Sequence, residues 1–222
     1  FSIDNHLVAV SNGGGLIATY HKTDSSFTNI SKSINIFSPD LHFLHKILLK
    51  IQKPPNDEKE WFEFSEVSYI AFTPDELIVV LLNNLTILIF NNIGALINFS
   101  VFKHSNNKRS DIFKPQNARL VSYSLAILSS NHTFFYIPDV RKPVWLTSLI
   151  SDYNQTLVQN FDFIPLNDFN YPLLFYIKGE STICANLGIK SKDIKIPDQK
   201  ILGISISPDF SSVACLFSNQ IE

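Results

Sequence analysis

Short apolar runs separated by polar turn residues recur along the whole chain. The clearest group lies between residues 67 and 102, where four runs follow one another: "VSYIAFT", "LIVVLL", "LTILIF" and "ALINFSVF". Runs of this length, rich in Val, Ile, Leu and Phe, are typical of β-strands. The connections "PDE", "NN" and "NNIG" are short enough to require antiparallel neighbours. The pattern therefore predicts a four-stranded antiparallel meander.

The same arrangement returns at intervals of roughly 40–50 residues, which is within the range of propeller blades. Further sets of runs span residues 118–149 and 159–196, and another opens at 201–217. The beginning of the chain fits the same template with "LVAV", "GLIATY", "SINIFSPD" and "FLHKILLKI". A local echo supports the repeat, because "YIAFTPDELIVVLL" aligns with "GISISPDFSSVACLF". In both segments a proline and an aspartate suit a tight turn between two strands.

We therefore predict an all-β fold, a WD-like β-propeller with four-stranded antiparallel blades. The prediction rests on period and pattern, because the Gly-His and Trp-Asp signatures of WD repeats are absent. Residues 1–222 are expected to form a single, partial propeller domain of four to five blades. The predicted blades are residues 5–51, 66–103, 118–150, 157–197 and an incomplete one at 200–222.

The glycine triplet in "LVAVSNGGGLIATY" raises the question of a nucleotide site. A phosphate-binding loop needs a helix N-terminus or a nest of backbone N–H groups, and the P-loop also needs its Lys and Ser/Thr. Here the triplet precedes a strand, and no Lys followed by Ser or Thr comes directly after it. We expect Gly13–Gly15 to supply the positive φ angles of a hairpin turn, with no nucleotide bound.

Three other clusters carry residue types that could support chemistry. His42 and His45 are three apart, which on a strand places them on opposite faces and disfavours shared metal ligation. Four carboxylates surround an aromatic residue in one segment: Glu58, Glu60, Glu63, Glu66 and Trp61. A basic segment with two aromatic residues could contact acidic headgroups or a partner: Lys103, His104, Lys108, Arg109, Lys114, Phe102 and Phe113. We interpret the histidines as surface or edge residues, the carboxylates as a charged edge around a docked aromatic residue, and the basic segment as a solvated loop between blades. We predict no catalytic, cofactor-binding or metal-binding residue, no cofactor and no enzymatic activity.

Composition, net charge and cysteine content further narrow the class of protein to which the chain can belong. The chain has 45% hydrophobic and 17% charged residues, which is typical of a globular protein. Its formal net charge of −2 gives no electrostatic reason to expect nucleic acid as a partner. Cys184 and Cys215 lie in apolar, strand-like runs and are expected to be free, buried thiols. The absence of Met and the start at Phe1 indicate a fragment or a trimmed chain.

Several motifs, taken in order, resemble one known family. "LVAVSNGGGLIATY", "INIFSPDLHFLHKILL", "VSYIAFTPDELIVVLLNNLTILIFNNIGALINFS" and "ILGISISPDFSSVACLFSNQIE" resemble successive segments of the N-terminal domain of the vacuolar protein sorting-associated protein 16 family. That family's N-terminal region resembles a seven-bladed propeller followed by a helical solenoid. No interface residue can be transferred to positions of this chain, because the family's solenoid has no counterpart here.

The resemblance implies a scaffold subunit of the HOPS and CORVET tethering complexes. Such a subunit would support Rab-dependent tethering, SNARE-mediated membrane fusion and protein transport to the vacuole or lysosome. Its partners would be other tethering subunits, including a Sec/Munc-type SNARE-binding subunit that docks on a region outside this chain. It would lie in the cytoplasm, peripheral on late endosomes and on vacuolar or lysosomal membranes.

Two alternatives stay open from the sequence. One is an unrelated WD-like interaction propeller of a coat or trafficking adaptor, and the other is a propeller glycosidase. The glycosidase would need two carboxylates that converge in a central funnel.

A propeller cut after four to five blades would also expose blade faces, so we expect the 222-residue chain to aggregate when produced alone.

Overall fold

The computed structural model describes most of the chain as β-strands and turns. The described residues are 6–21, 33–49, 65–102, 113–130, 133–149, 160–166, 171–187, 190–196 and 199–218. Within them lie eighteen strands and no helix, so this part of the chain offers no helical membrane span. Two compact units are present, unit 1 being Phe1–Gln116 with Val140–Pro143 and unit 2 being Asn117–Asp139 with Val144–Glu222.

Unit 1 contains two four-stranded antiparallel meanders. Sheet 1 consists of β1 (His6–Val10), β2 (Ile17–His21), β3 (Ser33–Phe37) and β4 (Phe43–Leu48). Sheet 2 consists of β5 (Val67–Phe72), β6 (Ile78–Leu82), β7 (Thr86–Phe90) and β8 (Leu96–Val101). Strand β1 packs beside β5, so the first strands of the two sheets adjoin.

The core of unit 1 lies between its two sheets. Sheet 1 contributes one face of alternate residues, including Ala18, Tyr20, Ile34, Ile36 and Ile47, and sheet 2 contributes Ile70, Phe72, Ile78, Val80, Leu82, Leu88 and Phe90. Strands β6 and β7 are buried at every position. Burial on both faces explains why "IVVLL" and "TILIF" read as continuous apolar runs without alternation.

Unit 2 continues the same plan. Sheet 3 consists of β9 (Pro115–Val121), β10 (Ser124–Ser129), β11 (Thr133–Ile137) and β12 (Leu146–Leu149). Sheet 4 consists of β13 (Phe161–Ile164), β14 (Leu173–Lys178), β15 (Thr182–Leu187) and β16 (Lys190–Lys195), and sheet 5 of β17 (Ile201–Ile206) and β18 (Val213–Phe217). Aromatic side chains fill the core that joins sheets 3 and 4, with Tyr136 packed edge-on against Phe163 at 5.9 Å between ring centroids.

The predicted all-β fold with four-stranded antiparallel sheets is confirmed. Two strands begin earlier than the sequence pattern indicated. Strand β9 starts at Pro115, which is tolerated because proline can occupy the first residue of a strand. Strand β16 starts at Lys190, and the sequence marks its first half only weakly, because all six of its residues are exposed and no apolar residue precedes Ile194.

Candidate functional site

Five hairpin turns of this chain share one design. In each, a Ser, Thr or Asn opens the turn: Ser11, Ser38, Thr73, Asn91 and Ser207. Its carbonyl accepts a hydrogen bond from the backbone N–H three residues later, at 2.8–3.0 Å. Its side-chain oxygen accepts another from the N–H of the residue that closes the turn, at 2.8–3.2 Å. A short polar side chain therefore satisfies the backbone that the turn leaves unpaired.

The fourth residue of every such turn adopts left-handed φ. Two turns place glycine there, Gly14 at +68° and Gly94 at +84°, whereas the others place Leu41 at +61°, Glu76 at +62° and Phe210 at +59°. Gly14 alone of the glycine triplet has positive φ, so the expectation for the triplet is right at one position of three. The other two glycines lie outside the left-handed region, because the turn requires a positive φ at only one position.

Unit 1 exposes apolar side chains in two turns and at the first residue of β4. Leu41 is 70% exposed, Phe43 58% and Ile93 75%. We call these three residues the rim patch. Leucine disfavours left-handed φ, and Leu41 gains little burial in return. Neither local conformation nor packing within the chain explains a leucine at this position, and exposed apolar clusters mark interaction surfaces.

The residues of the rim patch lie on two hairpins of unit 1, β3–β4 and β7–β8, which adjoin at strand β4. A Cβ atom on Gly94 would lie 3.0 Å from Ile47 Cγ1 and 3.6 Å from His45 Cδ2, so the β7–β8 turn rests on strand β4. Phe43 lies two positions before His45 on the same strand. A β-bulge lies between them, because Phe43 pairs with Phe37 whereas His45 pairs with the adjacent Ile36, so Phe43 and His45 lie on opposite faces of sheet 1. The Phe43 ring is held by an edge-on contact with Phe37 at 5.9 Å.

The histidine pair does not lie on one strand as expected. His42 is exposed in the turn before β4, where its N–H donates to Ser38 Oγ at 3.2 Å. His45 is half-buried on β4, and its Nε2 atom has no hydrogen-bond partner among the described residues. Among the described residues no group of three or more His, Cys, Asp or Glu side chains could hold a metal ion.

A buried carboxylate links the first strands of three consecutive sheets in unit 2. Asp162 on β13 accepts the Ile206 N–H of β17 at 2.9 Å, and its other oxygen accepts the Phe163 N–H at 2.9 Å. Arg119 on β9 pairs with it through Nε and Nη2, both at 3.4 Å. We did not single out Asp162 from the sequence, although a lone Asp inside the apolar run "NFDFIP" is a signal of such a role.

Both cysteines are free, as predicted. Cys184 is buried, and burial raises the pKa of its thiol to about 11. Cys215 is only half-buried on the two-stranded sheet 5, and its pKa is also raised by burial. A raised pKa leaves little thiolate at neutral pH, so neither thiol has the character of a reactive nucleophile.

The remaining clusters from the sequence lie largely outside the described residues. Glu58, Glu60, Trp61 and Glu63 are not described, and Glu66 accepts a hydrogen bond from Asn83 Nδ2 at 3.4 Å. The basic residues Lys103, His104, Lys108 and Arg109 are also outside the described part. At the ends of that segment Phe102 and Phe113 pack edge-on at 6.2 Å.

Comparison with known proteins shows the fold. No protein-family model and no curated protein sequence matches the chain. The crystal structure of the β-propeller domain of Cps50 (Swd1) from Myceliophteria thermophila is similar, with a TM-score of 0.59, 9% identity and 96% of this chain covered. The chain spans 62% of that solved chain. The predicted WD-like β-propeller fold is thereby confirmed, whereas the resemblance to the vacuolar sorting family finds no support in these comparisons and stays a prediction.

Proposed function

We propose that this chain is a non-catalytic protein-interaction propeller and that the rim patch is part of its binding surface. Propellers serve both as enzymes and as interaction scaffolds, so the fold alone does not decide. The observation that carries the proposal is Leu41, a large apolar side chain in left-handed conformation and mostly in solvent. Phe43 on the same hairpin and Ile93 on the β7–β8 hairpin are further exposed apolar side chains.

The partner we propose is a subunit of an endolysosomal tethering complex of the HOPS or CORVET type. The support for this step is the order of sequence motifs that resemble the vacuolar protein sorting-associated protein 16 family. The protein would then act in the cytoplasm at late endosomal and vacuolar or lysosomal membranes. The rim patch would meet an apolar surface of the neighbouring subunit, since apolar and aromatic side chains dominate the centres of protein interfaces.

The test is affinity capture of the full-length protein, with co-purifying chains identified by mass spectrometry. The variant Leu41→Gly combined with Ile93→Asp removes two exposed apolar side chains without cutting into the core. Burial of each would contribute about 1.5 kcal/mol, so recovery of the partner subunit should fall roughly tenfold for each substitution. The matched control is Val144→Asp, because Val144 is 61% exposed and lies outside the rim patch.

Stability measurements separate loss of binding from loss of folding. Glycine relieves the left-handed strain at Leu41, so Leu41→Gly should leave the free energy of unfolding unchanged or raise it by up to about 1 kcal/mol. Recovery of tethering subunits in equal yield by the wild type and the double variant would rule out the rim patch. Recovery of none by the wild type would rule out the tethering role.

A further inference from the structure

Strand β16 is the most exposed outer strand in the described part of the chain. All six of its residues, "KSKDIK", are exposed. The outer strands of sheets 1 and 2 are less exposed, because Ile47 on β4 is buried and most of β8 is half-buried. No strand among the described residues pairs with the outer side of β16. Sheet 4 therefore ends in an open edge.

The hydrogen-bonding register of β16 identifies the backbone groups on that edge. The Ile196 N–H donates to the Ser181 carbonyl at 2.8 Å, continuing the β15–β16 ladder. In an antiparallel pair alternate residues point their N–H and C=O groups toward the partner strand. The backbone N–H and C=O groups of Lys192, Ile194 and Ile196 therefore point toward β15. Ser191, Asp193 and Lys195 direct their backbone groups away from the sheet, where an added strand could pair.

The side chains of this edge are basic. Lys190 and Lys192 share one face of the sheet, opposite Leu187 and Ala185, and Lys195 lies on the other face. No described carboxylate forms an ion pair with these three lysines. The acidic residue within the strand is already engaged, because Asp193 pairs with Lys178 Nζ at 3.1 Å. The pKa of Asp193 is lowered by a hydrogen bond from the Cys184 thiol and by the Lys178 ammonium. The carboxylate therefore stays ionised.

We propose that this edge binds an extended acidic segment of a partner protein as a fifth strand of sheet 4. The added strand would pair with the outward backbone groups and place alternate carboxylates opposite Lys190 and Lys192. Strand addition to an open edge is a known mode of peptide recognition, with side chains at alternate positions giving specificity. The inference rests on the proposed role of the chain as an interaction module.

Charge and geometry favour this occupant over two others. A second copy of the same edge would bring lysines against lysines, and edge lysines oppose such self-pairing. An anionic membrane would attract lysines that share one plane, whereas Lys195 lies on the opposite face from Lys190 and Lys192. An acidic strand is the occupant that satisfies both the backbone edge and the charge.

The test uses the full-length protein and a fluorescein-labelled peptide of alternating valine and glutamate, with binding followed by fluorescence anisotropy. We expect saturable binding that weakens with added salt. The double variant Lys190→Glu and Lys192→Glu should weaken binding by about tenfold or more, since two attractive cross-strand pairs become repulsive. The control Lys46→Glu changes an exposed lysine on another outer strand, β4, and should leave binding unchanged.

A second peptide tests the backbone pairing. Proline at the central positions removes the N–H donors while keeping the glutamates at both ends, and should abolish binding. Equal binding of the proline peptide, or no effect of the double variant, would overturn the proposal. So would the absence of peptide binding together with lysine-dependent sedimentation on phosphatidylserine vesicles, which would indicate a lipid surface.

The outcome is separable from that of the proposed function. The rim-patch variant Leu41→Gly with Ile93→Asp should keep full peptide affinity, since it changes sheets 1 and 2. Capture of tethering subunits without peptide binding would overturn the β16 edge alone. Peptide binding without such subunits would overturn the tethering role alone.

Discussion

Asp162 should be the most sensitive polar residue in unit 2. Its side chain is 3% exposed and accepts two backbone N–H groups at 2.9 Å, one of them from Ile206 on another sheet. Asp162→Ala leaves the Ile206 N–H without this acceptor, and a hydrogen bond to a charged group contributes about 1.5–3 kcal/mol. The Arg119 side chain is 49% exposed, so its ion pair adds only about 0.2–1 kcal/mol. We therefore expect a loss of about 2–4 kcal/mol.

The assay is urea unfolding followed by tryptophan fluorescence, with the transition midpoint and slope compared between variants. Arg119→Met is the matched variant, because it removes the ion pair while the backbone donors to Asp162 stay. It should lower the free energy of unfolding by about 0.2–1 kcal/mol, the contribution of the ion pair, and so by less than Asp162→Ala. A loss below about 0.5 kcal/mol for Asp162→Ala, or an equal loss for Arg119→Met, would refute the reasoning that backbone hydrogen bonds dominate.

Two further predictions concern the glycine turn and the thiols. Gly14→Val should lower the free energy of unfolding by about 1–2 kcal/mol through left-handed strain alone, because nothing lies within 4 Å of the new Cβ. Gly13→Ala should be neutral or slightly stabilising, and equal losses in thermal unfolding for both variants would contradict the turn geometry. With a thiol-specific reagent in native buffer, Cys184 should react only as fast as the protein unfolds, and Cys215 should react sooner. Rapid native labelling of Cys184 would show that its strand is placed on the wrong face.

The sequence was informative wherever burial left a pattern. Runs such as "IVVLL" predicted strands because both faces of β6 are buried, and the Thr-Pro-Asp echo predicted tight turns at Thr73 and Ser207. Strand β16 was predicted only in part because its lysines alternate without any apolar residue until Ile194. Exposed edge strands have no periodic apolar residues, so the sequence pattern predicts them poorly.

The candidate surface was less accessible to sequence reasoning. Leu41 and Ile93 sit inside polar turns, and an isolated apolar residue in "SPDLH" or "NNIG" has no periodicity to mark it. Leu41 and Ile93 become candidate binding residues only through the φ angle of Leu41 and the exposure of both side chains, and these come from the structure. The two hairpins adjoin where Gly94 in the β7–β8 turn approaches Ile47 on β4, a contact between residues far apart in the chain. Long-range contacts of this kind cannot be read from local pattern.

Site-specific photo-crosslinking at Ile93 tests the central claim most directly. A photoreactive phenylalanine analogue replaces Ile93 in the full-length protein in cells, and the same analogue replaces exposed Asn12 in the glycine turn as the control. We predict that the Ile93 position forms a crosslink to a tethering-complex subunit and that the Asn12 position does not. Crosslinks from Asn12 to that subunit with none from Ile93, or no intermolecular crosslink from Ile93, would contradict the assignment of the rim patch as a binding surface.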